Sequence, residues 1–141
     1  MDKLSKVLLF SKDKECRQCL STVTSRCSNT VESYSEETEM LNAVRSGADM
    51  VIMALNSTQD GKPLCEVIRS INKHLPIILI SDKSGQGDYS LYFKGVDTLP
   101  KPIDAEVLLR KVKLYKTLTE ASITLENIAH NRREEDVSKK L

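Results

Sequence analysis

"DMVIMALNSTQDG", residues 49–61, decides the fold. Within it "MVIMAL" runs without a polar break and then stops at a polar, turn-rich stretch. A short continuous apolar run bounded by turn residues suits a strand buried on both faces, as in a parallel sheet covered by helices. In an open α/β sheet, ligands and reacting groups sit beyond the carboxyl ends of such strands. The residue at this strand end is Ala54, a methyl group with no chemistry of its own.

The same signature repeats on either side. "KVLLF", residues 6–10, reads as the first strand and ends at Ser11 and Lys12. From Lys14, Cys16, Leu20, Val23 and Cys27 recur at three- and four-residue steps, the mark of an amphipathic helix. "TVESY", residues 30–34, is a weaker strand, and a helix over residues 36–45 carries Met40, Leu41 and Val44 before stopping at Gly47. "NSTQDGKP" reads as a loop with Asp60 and Gly61 in a turn. Pro63 then falls in the first turn of a third helix, which buries Leu64, Val67, Ile68 and Ile71. "PIILI" is a fourth strand ending at Ser81, and "SDKSGQGD" is a loop. A short helix over residues 90–94 ends at Gly95, "DTLP" is a fifth strand, and Lys101 and Pro102 follow it. Pro102 can take a cis bond, which X–Pro bonds adopt readily. Asp104 caps a last helix with Val107, Leu108 and Val112 on one side. The order is five βα units. Short connections and apolar strands predict an α/β, doubly wound, five-stranded parallel sheet with right-handed crossovers. Ser11, Lys12, Ala54, Ser81 and Lys101 meet at its carboxyl edge.

Size and charge narrow the function. The 141 residues suggest one domain, which needs no disulfide or metal staple at this length. The net charge of +1 gives no electrostatic case for nucleic acid or an anionic membrane, and no apolar run has the length of a membrane span. The N-terminus "MDKLSKVLLFSKD" lacks a signal-peptide pattern, so a cytoplasmic location is expected, with Cys16, Cys19, Cys27 and Cys65 reduced. Residues 1–118 form the expected domain. Residues 119–141 continue the last helix, with Leu114, Leu118, Ala121, Leu125 and Ile128 at heptad spacing. The chain stops at "VSKKL" without a helix stop signal, as a coiled coil leading to an output domain would. His74 and His130 are isolated histidines without a partner acid or nucleophile.

In order and spacing, "KVLLFSKD", "GADMVIMALNSTQDG", "LPIILIS" and "GVDTLPKPIDAEVLLRKV" together resemble the CheY-like receiver domain of two-component response regulators. The resemblance covers about residues 6–118 and implies a flavodoxin-like (βα)5 fold with an extended C-terminal helix. In that family a strand-three aspartate is phosphorylated with the help of a divalent metal. The metal is held by that aspartate and two acids after strand one. A hydroxyl residue and a lysine bind the phosphoryl oxygens, whose negative charge requires cations nearby. Residue by residue, Ser81, Lys101 and Pro102 retain the family's pattern. The acid pair falls on Ser11 and Lys12, the phosphoacceptor on Ala54, and the strand-five switch aromatic on Thr98. The resemblance therefore implies a degenerate receiver, a pseudo-receiver with neither metal nor cofactor, and with Lys12 and Lys101 turning a metal site into an anion site. It is expected not to be an enzyme but to bind proteins, and to form a homodimer. The dimer face would be the short helix over residues 90–94, the fifth strand and the last helix.

Two other functions compete. A response regulator can be phosphorylated at a non-standard acid, of which Asp13 is the nearest, though Asp13 is expected to start a helix. "LLFSKDKECRQCL" also resembles the strand and CxxC helix of glutaredoxins, which implies a thiol oxidoreductase using Cys16 and Cys19. A zinc site is disfavoured, because Cys27 and Cys65 have no matching spacing.

Overall fold

The apolar runs assemble into one five-stranded parallel sheet of order β2-β1-β3-β4-β5. The computed structural model describes residues 4–56, 58–81 and 96–118. Its elements are β1 (Leu4–Phe10), α1 (Lys14–Thr24), β2 (Ser28–Tyr34), α2 (Glu37–Ser46), β3 (Met50–Leu55), α3 (Thr58–Ile71), β4 (Ile77–Ser81) and β5 (Val96–Pro100). A last helix, α4, covers residues 105–118. The short helix expected over residues 90–94, His130 and the heptad positions beyond Leu118 lie outside the described residues.

Strand periodicity builds two cores. Successive side chains of a strand point to opposite faces, and in the three central strands both sets are apolar. Leu8 and Phe10, Val51 and Met53, and Ile77 and Leu79 face one side, where Met40 and Val44 of α2 and Leu64 and Ile68 of α3 cover them. Val7 and Leu9, Met50 and Ile52, and Ile78 and Ile80 face the other, beneath Leu20 and Val23 of α1 and Leu108 and Val112 of α4. The edge strand β2 pairs only with β1 and is largely accessible.

Local signals set the helix ends. Asp13 caps α1 by accepting the Glu15 N–H at 3.1 Å, and Asp104 caps α4 by accepting from the N–H groups of Glu106 and Val107 at 3.0 and 3.3 Å. Gly47 ends α2 at a φ of 107°, a conformation that side chains with a Cβ rarely adopt. The Lys101–Pro102 bond is cis. The exposed His74 lies in the loop before β4.

Two sequence expectations are corrected. Helix α1 ends at Thr24, so Cys27 lies beyond it in the connection to β2, although it is buried against the same core. The spacing of Cys27 continued the helical pattern, but the chain had already turned. The turn expected at Asp60 and Gly61 is part of α3, which starts at Thr58 and places Pro63 inside the helix as its sixth residue. Packing overrides the local turn preference. A Cβ on Gly61 would stand 3.0 Å from Leu79 Cδ2 and 3.1 Å from Leu55 Cδ1, so the missing side chain lets α3 lie close against the sheet. Gly61→Val should accordingly overpack this contact and destabilise the fold by about 1–3 kcal/mol. In Gly61→Ala the gain in helix propensity of about 1 kcal/mol offsets most of the crowding. Urea unfolding of the two variants checks this, and equal stabilities would contradict it.

Candidate functional site

Strand order fixes where a site can form. The chain leaves β1 toward β2 on one side and reaches β3 on the other, so the crevice opens beyond the carboxyl ends of β1 and β3. A cleft of about 430 Å³ lies there, lined by the Phe10–Asp13 segment, Glu37, the Ala54–Asn56 segment, Pro63 and Lys101. The structure thus brings together Ser11, Lys12, Ala54 and Lys101. Ser81 is buried at the end of β4 and is not among the lining residues, though its carbonyl accepts the Lys101 N–H at 2.9 Å. Thr98 is half-buried on β5, away from the lining.

The wall after β1 is built by Ser11. Its N–H donates to the Tyr34 carbonyl at 3.1 Å and its hydroxyl accepts the Asp13 N–H at 3.2 Å. Its carbonyl accepts from the Arg17 guanidinium at 2.6 Å. Ser11 is therefore buried and engaged in the wall itself. Lys12 is exposed, and Asp13 lines the rim while its carboxylate caps α1. Ala54 forms part of the floor and presents only its methyl group.

Glu37, which the sequence reading missed, alters the electrostatics. With Asp13 it adds two acidic residues to a lining that also holds Lys12 and Lys101. A topological signal was present: in a parallel sheet every helix that follows a strand begins at the carboxyl edge. Glu37, the first residue of α2, had to start there. Among the described residues, no three His, Cys, Asp or Glu side chains are placed to hold a metal ion. Cys16 and Cys19 lie on α1, apart from the cleft lining.

A second polar cluster fastens α4 to the sheet edge. The Asp97 carboxylate of β5 pairs with Lys111 at 2.8 Å, accepts from the Tyr115 hydroxyl at 3.2 Å and accepts the Thr98 N–H at 2.8 Å. On the same helix, Leu114 and Leu118 are each 50% exposed.

No family model and no curated protein matches the chain. Solved structures do. The signal receiver domain of an HD domain-containing protein from Pseudomonas fluorescens aligns with a TM-score of 0.74 and 20% identity, covering 88% of this chain and 95% of that one. The Vibrio cholerae chemotaxis protein CheY4 aligns at 0.68 and 21%, covering 79% and 98%. A two-component response regulator from Clostridium difficile aligns at 0.65 and 26%, covering 79% and 94%. The chain has the fold of the CheY-like receiver domains.

Two phenols donate to carboxylates, Tyr115 to Asp97 and, within β2, Tyr34 to Glu32 at 2.6 Å. Tyr115 is pushed up to about 12, first by burial and then by the charge and hydrogen bond of Asp97. Tyr34 is likewise raised to about 12, first by its hydrogen bond to Glu32 and then by burial. Each protonated phenol is favoured in the folded state. Its contribution to stability is complete below the ordinary tyrosine value of 10.0 and disappears as pH rises through about 12. Titration followed by phenolate absorbance should show two late-ionising tyrosines, and Tyr115→Phe should remove one of them. Ionisation of all tyrosines near pH 10.0 would contradict both hydrogen bonds.

Proposed function

We propose that this chain is a cytoplasmic, receiver-like regulatory module of signal transduction, which acts by contact with other proteins and is not an enzyme. The observation that carries it is the wall and floor of the cleft: Ala54 on the floor, with Ser11 and Lys12 beside it. Under the receiver resemblance these occupy the positions of the phosphoacceptor and the metal-binding acids. A methyl group cannot attack a phosphoryl donor. A divalent cation such as magnesium wants hard oxygen ligands, usually carboxylates. The Ser11 hydroxyl is already bonded to the Asp13 N–H, and the Lys12 ammonium would repel a cation. Asp13 and Glu37 also line the cleft, but the Asp13 carboxylate caps α1 and, among the described residues, no three acidic, Cys or His side chains are placed to hold a metal ion, so the residues present do not fit it.

Asp13 and Glu37 support a second reading, phosphorylation at a non-standard acid, since both line the cleft. Incubation with a small phosphodonor and magnesium, followed by intact-mass measurement, separates the two. The wild-type chain should remain unmodified. Ala54→Asp should also remain unmodified, because the metal-binding acids are still missing. An acid-labile phosphoryl adduct on the wild type would overturn the proposal in favour of the second reading.

The contact surface in this proposal is the face of β5 and α4, continued by the heptad pattern of the last helix, and its partner is a second copy of the chain. Leu114 and Leu118 support it, because half of each side chain is accessible on the described part of that helix. Replacing both with Glu should convert a dimer to a monomer in sedimentation equilibrium while leaving the melting temperature almost unchanged. A wild-type monomer, or a dimer that survives both substitutions, would remove this surface from consideration.

A further inference from the structure

The "CRQC" motif of α1 has no role in the cleft. We propose that Cys16 and Cys19 form an oxidant-driven, reversible disulfide on α1, and that its state is communicated to the Ser11–Asp13 wall of the cleft. This is a modification site and not a turnover site.

The four cysteines divide by accessibility. Cys27 and Cys65 are buried, one in each core, and burial pushes the Cys65 thiol up to about 11. Cys19 is exposed, and Cys16 is half-buried at the margin of the second core. These two stand three residues apart on one helix, so they share a face. Neighbours at this spacing have Cβ atoms about 5–6 Å apart, while a disulfide needs roughly 3.5–4.5 Å. The gap closes if the turn tightens toward a 3₁₀ helix, where residues i and i+3 eclipse, and such turns are frequent at helix N-termini. Cys16 is the third residue of α1, so the tightening falls in its opening turns.

Those turns hold the cleft wall. Arg17 lies between the two cysteines and donates to the Ser11 carbonyl at 2.6 Å. Asp13 caps the same helix and donates its own N–H to the Ser11 hydroxyl. Bridging the cysteines draws Cys16 away from the core margin and displaces Arg17, which loosens this wall.

The oxidant is hydrogen peroxide. The Cys19 thiolate attacks a peroxide oxygen, the O–O bond breaks, and the departing oxygen leaves as water with one added proton. The Cys16 thiolate then attacks the resulting sulfenic sulfur, the S–O bond breaks, and hydroxide leaves as water with the Cys16 thiol proton. Two thiols lose two electrons and the peroxide is reduced to two waters. In a reducing compartment such a bond is transient, as expected of a redox-sensing pair.

The test uses the full chain, reduced and then exposed to hydrogen peroxide. Trypsin cuts after Lys14, Arg17 and Arg26, so fragments 15–17 and 18–26 remain joined only by the proposed bond. The joined fragments should appear in the non-reduced digest and disappear after dithiothreitol. Oxidation should lower the melting temperature reversibly and speed amide exchange over residues 11–17. Cys19→Ser, at an exposed position, should fold normally and lose all three effects. Disulfides between chains, bridges to Cys27 or Cys65, over-oxidised Cys19 with Cys16 still reduced, or no oxidation would each overturn the site. A Cys16–Cys19 bond that leaves exchange over residues 11–17 unchanged would overturn its connection to the cleft.

Discussion

The central constraint is that β1, β3 and β4 carry apolar side chains on both faces. A sheet with two apolar faces must be covered twice, and here crossover connections between parallel strands carry α2 and α3 to one face and α1 and α4 to the other. All strands then point one way. Every strand ends, and every following helix begins, at the same edge. The place of the cleft is therefore a consequence of the core, and residues such as Ala54 and Lys101 decide only what that place can do.

The central strands were legible because a fully buried parallel strand is an uninterrupted apolar run, and "VLLF", "MVIMAL" and "PIILI" have few other uses. The caps at Asp13 and Asp104 and the stop at Gly47 were legible because each depends on local backbone geometry. The start of α3 was not. Gly61 and Pro63 both have strong local turn preferences, and only the approach of Leu55 and Leu79 explains why glycine sits inside a helix. Glu37 was missed for a different reason. It belongs to a helix start and not to a strand end, and no local signal in the sequence ties it to the cleft.

Glu37 and Asp13 change what the cleft would recognise. Lys12 and Lys101 alone would form a site for anions. With two acidic residues lining the same space, attraction for a phosphate is opposed by nearby negative charge. Lys101 also has a backbone role that any residue with an N–H could fill. Its backbone N–H completes a hydrogen bond to the Ser81 carbonyl, and it introduces the turn that leads to the Asp104 cap.

That turn also determines how the cleft relates to the outer surface. Helix α4 begins a few residues after Lys101 and is held twice, by the Asp104 cap and, farther along, by the Lys111 and Tyr115 bonds to the Asp97 carboxylate. Its inward side is fixed by Leu108 and Val112 in the second core. Leu114 and Leu118 consequently project from a helix whose orientation to the sheet is set along its length. A ligand shifts a conformational equilibrium only by its differential affinity for two states. A helix fastened by a cap, a core and a charged anchor strongly favours one. If the chain acts by contact as proposed, this fastening suits a surface recognised by being occupied over one that rearranges.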